Sequence, residues 1–170
     1  MKHITIVLLT TVMVAGCGRK QPIPSGRLQQ PAGRFSLVTP EGWYRTKLAG
    51  LAFVIVSTDS DFGAEPNIFV DFVKPSISFT NVVSGYITSH RDSHPDFAIS
   101  QQVAFETESG LNGVKISAGR KNTDALPLAT FHYLLEAGDR VIAITGTCAD
   151  PAKVKYEPIF DSAMKSLRSE

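Results

Sequence analysis

The densest group of potential ligands in the chain is His90-Arg91-Asp92-Ser93-His94-Pro95-Asp96. His90 and His94 stand four apart and share a face if a helix runs through them. Asp92 or Asp96 could then complete the shell of a zinc or copper ion, which takes imidazole and carboxylate donors. The same residues also read as a polar helix end before Pro95, where histidine suits the negative pole of the helix dipole. No HExxH motif stands here, and beyond residue 16 the only other histidine is His132. A second polar run, Asp59-Ser60-Asp61-Phe62-Gly63-Ala64-Glu65, has the carboxylates that calcium wants. Its spacing fails, because an EF-hand loop would need an acid at Gly63, glycine at Ala64 and glutamate at Val70. We read it as an exposed acidic loop in which Asp59, Asp61, Phe62 and Glu65 are candidate partner contacts, with Phe62 the apolar anchor among acids.

Catalytic chemistry is poorly represented. The chain has no GxSxG elbow and no Gly-rich phosphate loop, and Gly110-Leu111-Asn112-Gly113 reads as a turn. Cys148 closes a strand-like run and reads as a small packed residue, His132 between Phe131 and Tyr133 reads as structural, and Trp43 reads as a core anchor. No enzyme activity and no cofactor are expected.

Cys17 carries a different chemistry. Lys2 and His3 precede an apolar stretch from Ile4 to Val14 and the small residues Ala15-Gly16. This is the order of a secretory signal peptide, and the stretch is shorter than the about 20 residues that a membrane span needs. Val14-Ala15-Gly16-Cys17 resembles a bacterial lipobox, which implies cleavage before Cys17 and lipid on its sulfur and new amino terminus. Two or more acyl chains make a stable anchor, so the membrane is the first expected partner. Gly18 stands where lipoproteins kept at the inner membrane of enteric bacteria carry Asp. The expected location is therefore the cell envelope, lipid-anchored in the outer membrane and facing the periplasm.

Residues 17–34 read as a lipidated cysteine followed by a linker, GRKQPIPSGRLQQPAGR, rich in Pro, Gly and Gln and without apolar period. They hold Arg19, Lys20, Arg27 and Arg34 and no acid, whereas residues 35–170 hold 12 basic and 16 acidic groups. An acidic body argues against nucleic acid as a partner. With Cys17 lipidated, Cys148 has no cysteine to pair with, so stability must come from packing.

One domain is expected over 35–170. Phe35 and Leu37 open a strand that turns at Thr39-Pro40-Glu41-Gly42 and resumes over Trp43 to Thr46. Leu51–Ser57 and Asn67–Val73 are further strands. Val82, Val83, Tyr86, Ile87 and His90 fall at helical spacing, predicting a helix over Thr80–Ser93 capped by Thr80. Strands follow over Phe97–Glu106, Val114–Lys121, Leu128–Glu136 and Arg140–Cys148, the last two joined as a hairpin through Ala137-Gly138-Asp139. Asp150-Pro151 starts a terminal helix whose apolar stripe is Ile159, Phe160, Ala163, Met164 and Leu167, with Pro158 restarting it. Strands, helix, strands, helix predict an α+β domain, an antiparallel β-sheet flanked by helices.

Phe35-Ser36-Leu37-Val38-Thr39-Pro40-Glu41-Gly42-Trp43, Ile144-Thr145-Gly146-Thr147-Cys148, Tyr156-Glu157-Pro158-Ile159-Phe160 and Ser166-Leu167-Arg168 together resemble the PsbP-like fold. That group holds the oxygen-evolving PsbP proteins, the Ran-binding Mog proteins and bacterial lipoproteins of the DcrB and LpqN type. The resemblance implies an α/β/α sandwich and a non-enzymatic domain that binds a partner protein, here an envelope or membrane protein. It supplies no shared catalytic set. The alternative reading of function is a metal or small-ligand binding lipoprotein using His90 and His94.

Overall fold

Runs of Val, Ile, Phe and Tyr alternating with polar residues become strands. The computed structural model, which describes residues 21–22, 26–46 and 53–169, shows how they pair. In chain order the strands before the first helix are β1 (Gln21–Pro22), β2 (Arg27–Gln30), β3 (Phe35–Val38), β4 (Tyr44–Thr46), β5 (Phe53–Val56) and β6 (Asn67–Val73). Helix α1 (Phe79–Ser93) is followed by β7 (Ala98–Glu106), β8 (Asn112–Lys121), β9 (Pro127–Ala137) and β10 (Arg140–Ala149). A 3₁₀ turn, Asp150–Ala152, leads into α2 (Lys153–Lys165), and β11 (Arg168–Ser169) ends the described chain.

Eight strands form one antiparallel sheet in the order β1-β4-β5-β6-β10-β9-β8-β7, and β11-β3-β2 form a small second sheet. Side chains alternate across each strand, so the central β9 and β10 send one set of residues to each face. Tyr133, Leu135, Ile142 and Ile144 meet α2 and β3 in the main core with Phe35, Leu37, Trp43, Phe160 and Met164. Leu134 and Val141 meet Val82 and Val83 of α1 in a smaller core on the other face. The result is the α/β/α layering expected, with α1 on one side and α2 plus the small sheet on the other.

α2 reaches its close seat because Gly146 has no side chain. A Cβ there would stand 2.7 Å from the Phe160 ring. We expect Gly146→Ala to lower unfolding stability by about 1–3 kcal/mol through overpacking, read as a shifted urea midpoint with an unchanged slope.

Three expectations are corrected. Within the expected linker, Gln21–Pro22 and Arg27–Gln30 are strands. Gln21–Pro22 pairs with β4, and Arg27–Gln30 pairs with β3, register Leu28 to Leu37. β2 is held from outside rather than by its own pattern: Leu28 packs on the main core, and the Arg27 guanidinium donates to Ser166 O at 2.8 Å. The N-cap of α1 is Ser78, whose Oγ accepts from Asn81 N at 3.4 Å, so the helix starts before Thr80. Pro158 lies inside a continuous α2. The N–H it lacks would have bonded the carbonyl of Val154, and Val154 is exposed, so water can take its place.

Candidate functional site

The β5–β6 connection holds Phe62, one of three non-glycine residues at left-handed φ among the described residues, with Arg34 and Ala125. Asp61 and Ala64 exchange backbone hydrogen bonds of 3.1 Å in each direction, leaving Phe62 and Gly63 as the two central residues of a tight turn. Both sit at left-handed φ, 54° and 80°, as a type I′ turn requires. Asn-Gly is the usual occupant, and a bulky L-residue in this conformation costs roughly 1–2 kcal/mol. Phe62 gains no burial in exchange, because 64% of its surface is exposed.

The turn is braced from α2. Asp61 Oδ2 accepts from Lys155 Nζ at 2.7 Å and from the Tyr156 hydroxyl at 2.6 Å. The Lys155 ammonium first, and the Tyr156 hydroxyl second, hold the Asp61 carboxyl below the usual carboxylate range. Tyr156 continues inward, edge-on to Trp43 with ring centroids 6.4 Å apart, so the turn is tied to the main core. Of the four candidate contact residues, Asp59, Phe62 and Glu65 are exposed, and Asp61 is committed to the brace.

Beneath α1 the structure gathers histidines. The His132 ring lies 4.8 Å from that of His90 and 5.6 Å from that of Phe97, and the Tyr86 ring lies tilted against His90 with centroids 4.5 Å apart. His132 is 1% exposed with both ring nitrogens satisfied. Thr130 donates its hydroxyl to Ala118 O, so Thr130 Oγ1 accepts from His132 Nε2–H at 2.9 Å. Nδ1 is then the acceptor, facing the Tyr86 hydroxyl at 2.9 Å and Thr145 Oγ1 at 3.1 Å. Burial keeps this imidazole neutral far below its ordinary pKa. His90 is pushed down to about 4 by burial, with His94 and Arg120 adding to it, and its Nδ1 is buried without a hydrogen-bond partner. His94 is lowered less, again first by burial and then by Arg120.

His90 and His94 share a face but stack, centroids 6.4 Å apart, while Asp92 lies two residues round the helix and is exposed. Among the described residues no three His, Cys, Asp or Glu side chains are placed to hold a metal ion. Cys148 is buried and its thiol is pushed up to about 12, mainly by desolvation, so it is not a nucleophile at neutral pH.

One polar group was missed by sequence reasoning. Lys115 of β8, 8% exposed in its side chain, reaches Glu157 at 2.7 Å and Asp161 at 2.7 Å, both on α2. The Tyr133 hydroxyl donates to Asp161 at 2.6 Å. The network bolts α2, and with it the Phe62 brace, to the sheet. Its outer side is a shallow groove open to solvent between Glu108 and α2.

Cys17 and residues 1–16, where a signal segment is expected, lie outside the described residues. Among the described residues no helix is long and apolar enough to cross a membrane.

No protein-family model and no curated protein matches the sequence. Solved structures do. Cyanobacterial PsbP from Synechocystis aligns at 15% identity over 92% of this chain and 99% of its own, with a TM-score of 0.65. LpqN of Mycobacterium tuberculosis, described as involved in cell envelope biogenesis, aligns at 13% identity over 78% of this chain and 81% of its own, TM-score 0.59. The Ran-binding protein Mog1p of Saccharomyces cerevisiae aligns at 10% identity over 87% and 96%, TM-score 0.57. At such identities the likeness establishes architecture, and the chain has the PsbP-like fold.

Proposed function

We propose that this protein is a lipid-tethered envelope lipoprotein whose PsbP-like domain binds a protein partner without catalysing a reaction, and that the Phe62 turn is the contact it offers. The observation that carries the reading is the exposed Phe62, held at left-handed φ by a brace that reaches the core. Strain without compensating burial is the mark of a residue kept for something outside the fold. An aromatic side chain on a rigid turn is also a low-entropy anchor. The Ran-binding description of Mog1p and the envelope role given for LpqN support a binding or assembly role for this fold here. Anchorage by lipid on Cys17 would raise the effective concentration of the domain toward other membrane components.

The test is crosslinking of the full-length protein in intact cells, with Cys17→Ala and Phe62→Asn beside it. One dominant partner is expected, lost when the tether is removed and weakened when the anchor is. Phe62→Asn should cost about 2 kcal/mol or more of binding, roughly 30-fold in affinity. The same substitution suits the turn better, so unfolding stability should hold or rise by up to about 1 kcal/mol. A destabilised variant would mean that Phe62 serves the fold, and undiminished crosslinking by Phe62→Asn would remove the turn from the interface.

A further inference from the structure

The register of β1 changes what the lipid tether can do. Gln21 pairs with Arg45 and Pro22 with Tyr44. Only Gly18, Arg19 and Lys20 therefore separate Cys17 from the sheet, and four residue steps span at most about 14 Å. A domain held this closely cannot hover or tumble far from its bilayer.

The direction of exit is also set. Stepping from Pro22 back to Gln21 moves from the level of Tyr44 to that of Arg45, so the preceding chain leaves at the Thr46 end of β4. On the neighbouring strands Thr46 lies beside Val54 and Tyr44 beside Val56, and Val56 lies beside Asn67. Ser57 N then donates to Pro66 O at 2.8 Å on the way to the Phe62 turn. The turn thus stands at the opposite end of the same strands, beyond a stretch of roughly 10 Å.

Charge divides the same way. Around the exit end lie Arg45, Lys74 and Arg34, with the buried Arg140 donating to Gly33 O at 2.8 Å beside them. Asp71, Asp139 and Glu136 are the acids there, Asp139 paired with Lys74 at 3.1 Å. Arg19 and Lys20 add two more cations within the tether. At the far end Asp59, Asp61, Glu65 and Asp150 outnumber Lys153 and Lys155. A tether of this length keeps its cations close to the Debye length of about 10 Å from the surface, where anionic headgroups attract them.

We propose that the β1–β4 corner of the sheet seats on an anionic phospholipid surface and that the Phe62 turn projects away from it. The proposal rests on the reading that Cys17 carries lipid. It is tested with full-length protein reconstituted in phosphatidylethanolamine–phosphatidylglycerol vesicles containing a headgroup quencher, with a fluorophore on Ser76→Cys or on Ser60→Cys. Both sites are exposed, and Cys148 is buried away from the label. The Ser76 label should be quenched several-fold more than the Ser60 label, and a Gly-Ser spacer inserted between Lys20 and Gln21 should erase the difference. Equal quenching, or stronger quenching at Ser60, in a protein whose mass shows lipid on Cys17 overturns the orientation alone. A mass without lipid on Cys17 overturns the tether and the orientation together.

Discussion

Acidification from pH 7 to 5 is expected to cost this domain about 2 kcal/mol or more of stability, with α1 the first element to lose protection. His90 and His132 are neutral in the fold, His90 down to about 4 and His132 well below its ordinary value, each chiefly through burial. In the unfolded chain both titrate near 6.5. Between those limits the unfolded state binds protons that the folded state refuses. Stability is therefore fully present above about 6.5 and falls with pH below it, by up to about 1.4 kcal/mol per unit for each histidine. The groups facing this cluster offer little relief. Tyr86 comes from α1, His94 from its C-cap, Asp96 from the loop after it, Arg120 from β8, Thr145 from β10 and Asp71 from β6. Asp71 is itself raised by burial, so part of its countercharge disappears as acid is added. α1 is seated through a small core centred on Val82 and Val83, so charging beneath it should loosen it ahead of the sheet.

Urea unfolding between pH 5 and 8, with amide exchange along α1, measures this. His90→Phe removes the imidazole whose Nδ1 has no partner and places an apolar ring among Tyr86 and Phe97. It should leave stability at pH 7 intact and flatten the acid limb by about half. An unchanged limb in that variant would show that the histidines are not its cause.

What could be read from the sequence followed local pattern. β6, with Ile68, Val70 and Phe72 alternating against Asn67 and Asp71, falls at its predicted bounds, and α1 is one residue longer than its 3.6-residue periodicity suggests. β2 was illegible because Leu28 alone is apolar in Arg27–Gln30, and only a partner strand and Ser166 make it a strand. Lys115 was hidden by the opposite error. In Val114-Lys115-Ile116-Ser117 the polar set looks like a solvent face, yet α2 covers it. The signal available was the pair Glu157 and Asp161, four apart beside Phe160, which puts two carboxylates at the margin of the apolar stripe and leaves them a cation to find. The histidine cluster could not have been assembled, because His132 joins His90 only when β9 passes under α1.

That buried cation leads to the second large effect. Asp161→Ala is expected to cost about 2–3 kcal/mol, below the 3–5 typical of breaking a fully buried pair because Asp161 is one-third exposed. The substitution strips the Tyr133 hydroxyl of its acceptor and leaves Lys115 with Glu157 alone. The ammonium cannot simply swing out, since its stem lies under α2 with Nζ 5.3 Å from the centre of the Phe131 ring. Asp161→Asn, which keeps an acceptor for Tyr133 and loses the charge, should cost about half as much. Lys115→Met should be milder than Asp161→Ala, because the carboxylates it orphans reach water while an orphaned lysine does not. Combining the two should cost less than their sum, which is the sign of a shared network. The consequence extends to binding, because the helix this network holds supplies Lys155 and Tyr156 to the Phe62 turn. Asp161→Ala should therefore weaken partner crosslinking under conditions where the protein remains folded, although it lies outside the contact. Urea midpoints for the four proteins, set beside their crosslinking yields, decide it: additive costs, or full crosslinking in Asp161→Ala, would mean that the turn is rigid without the bolt.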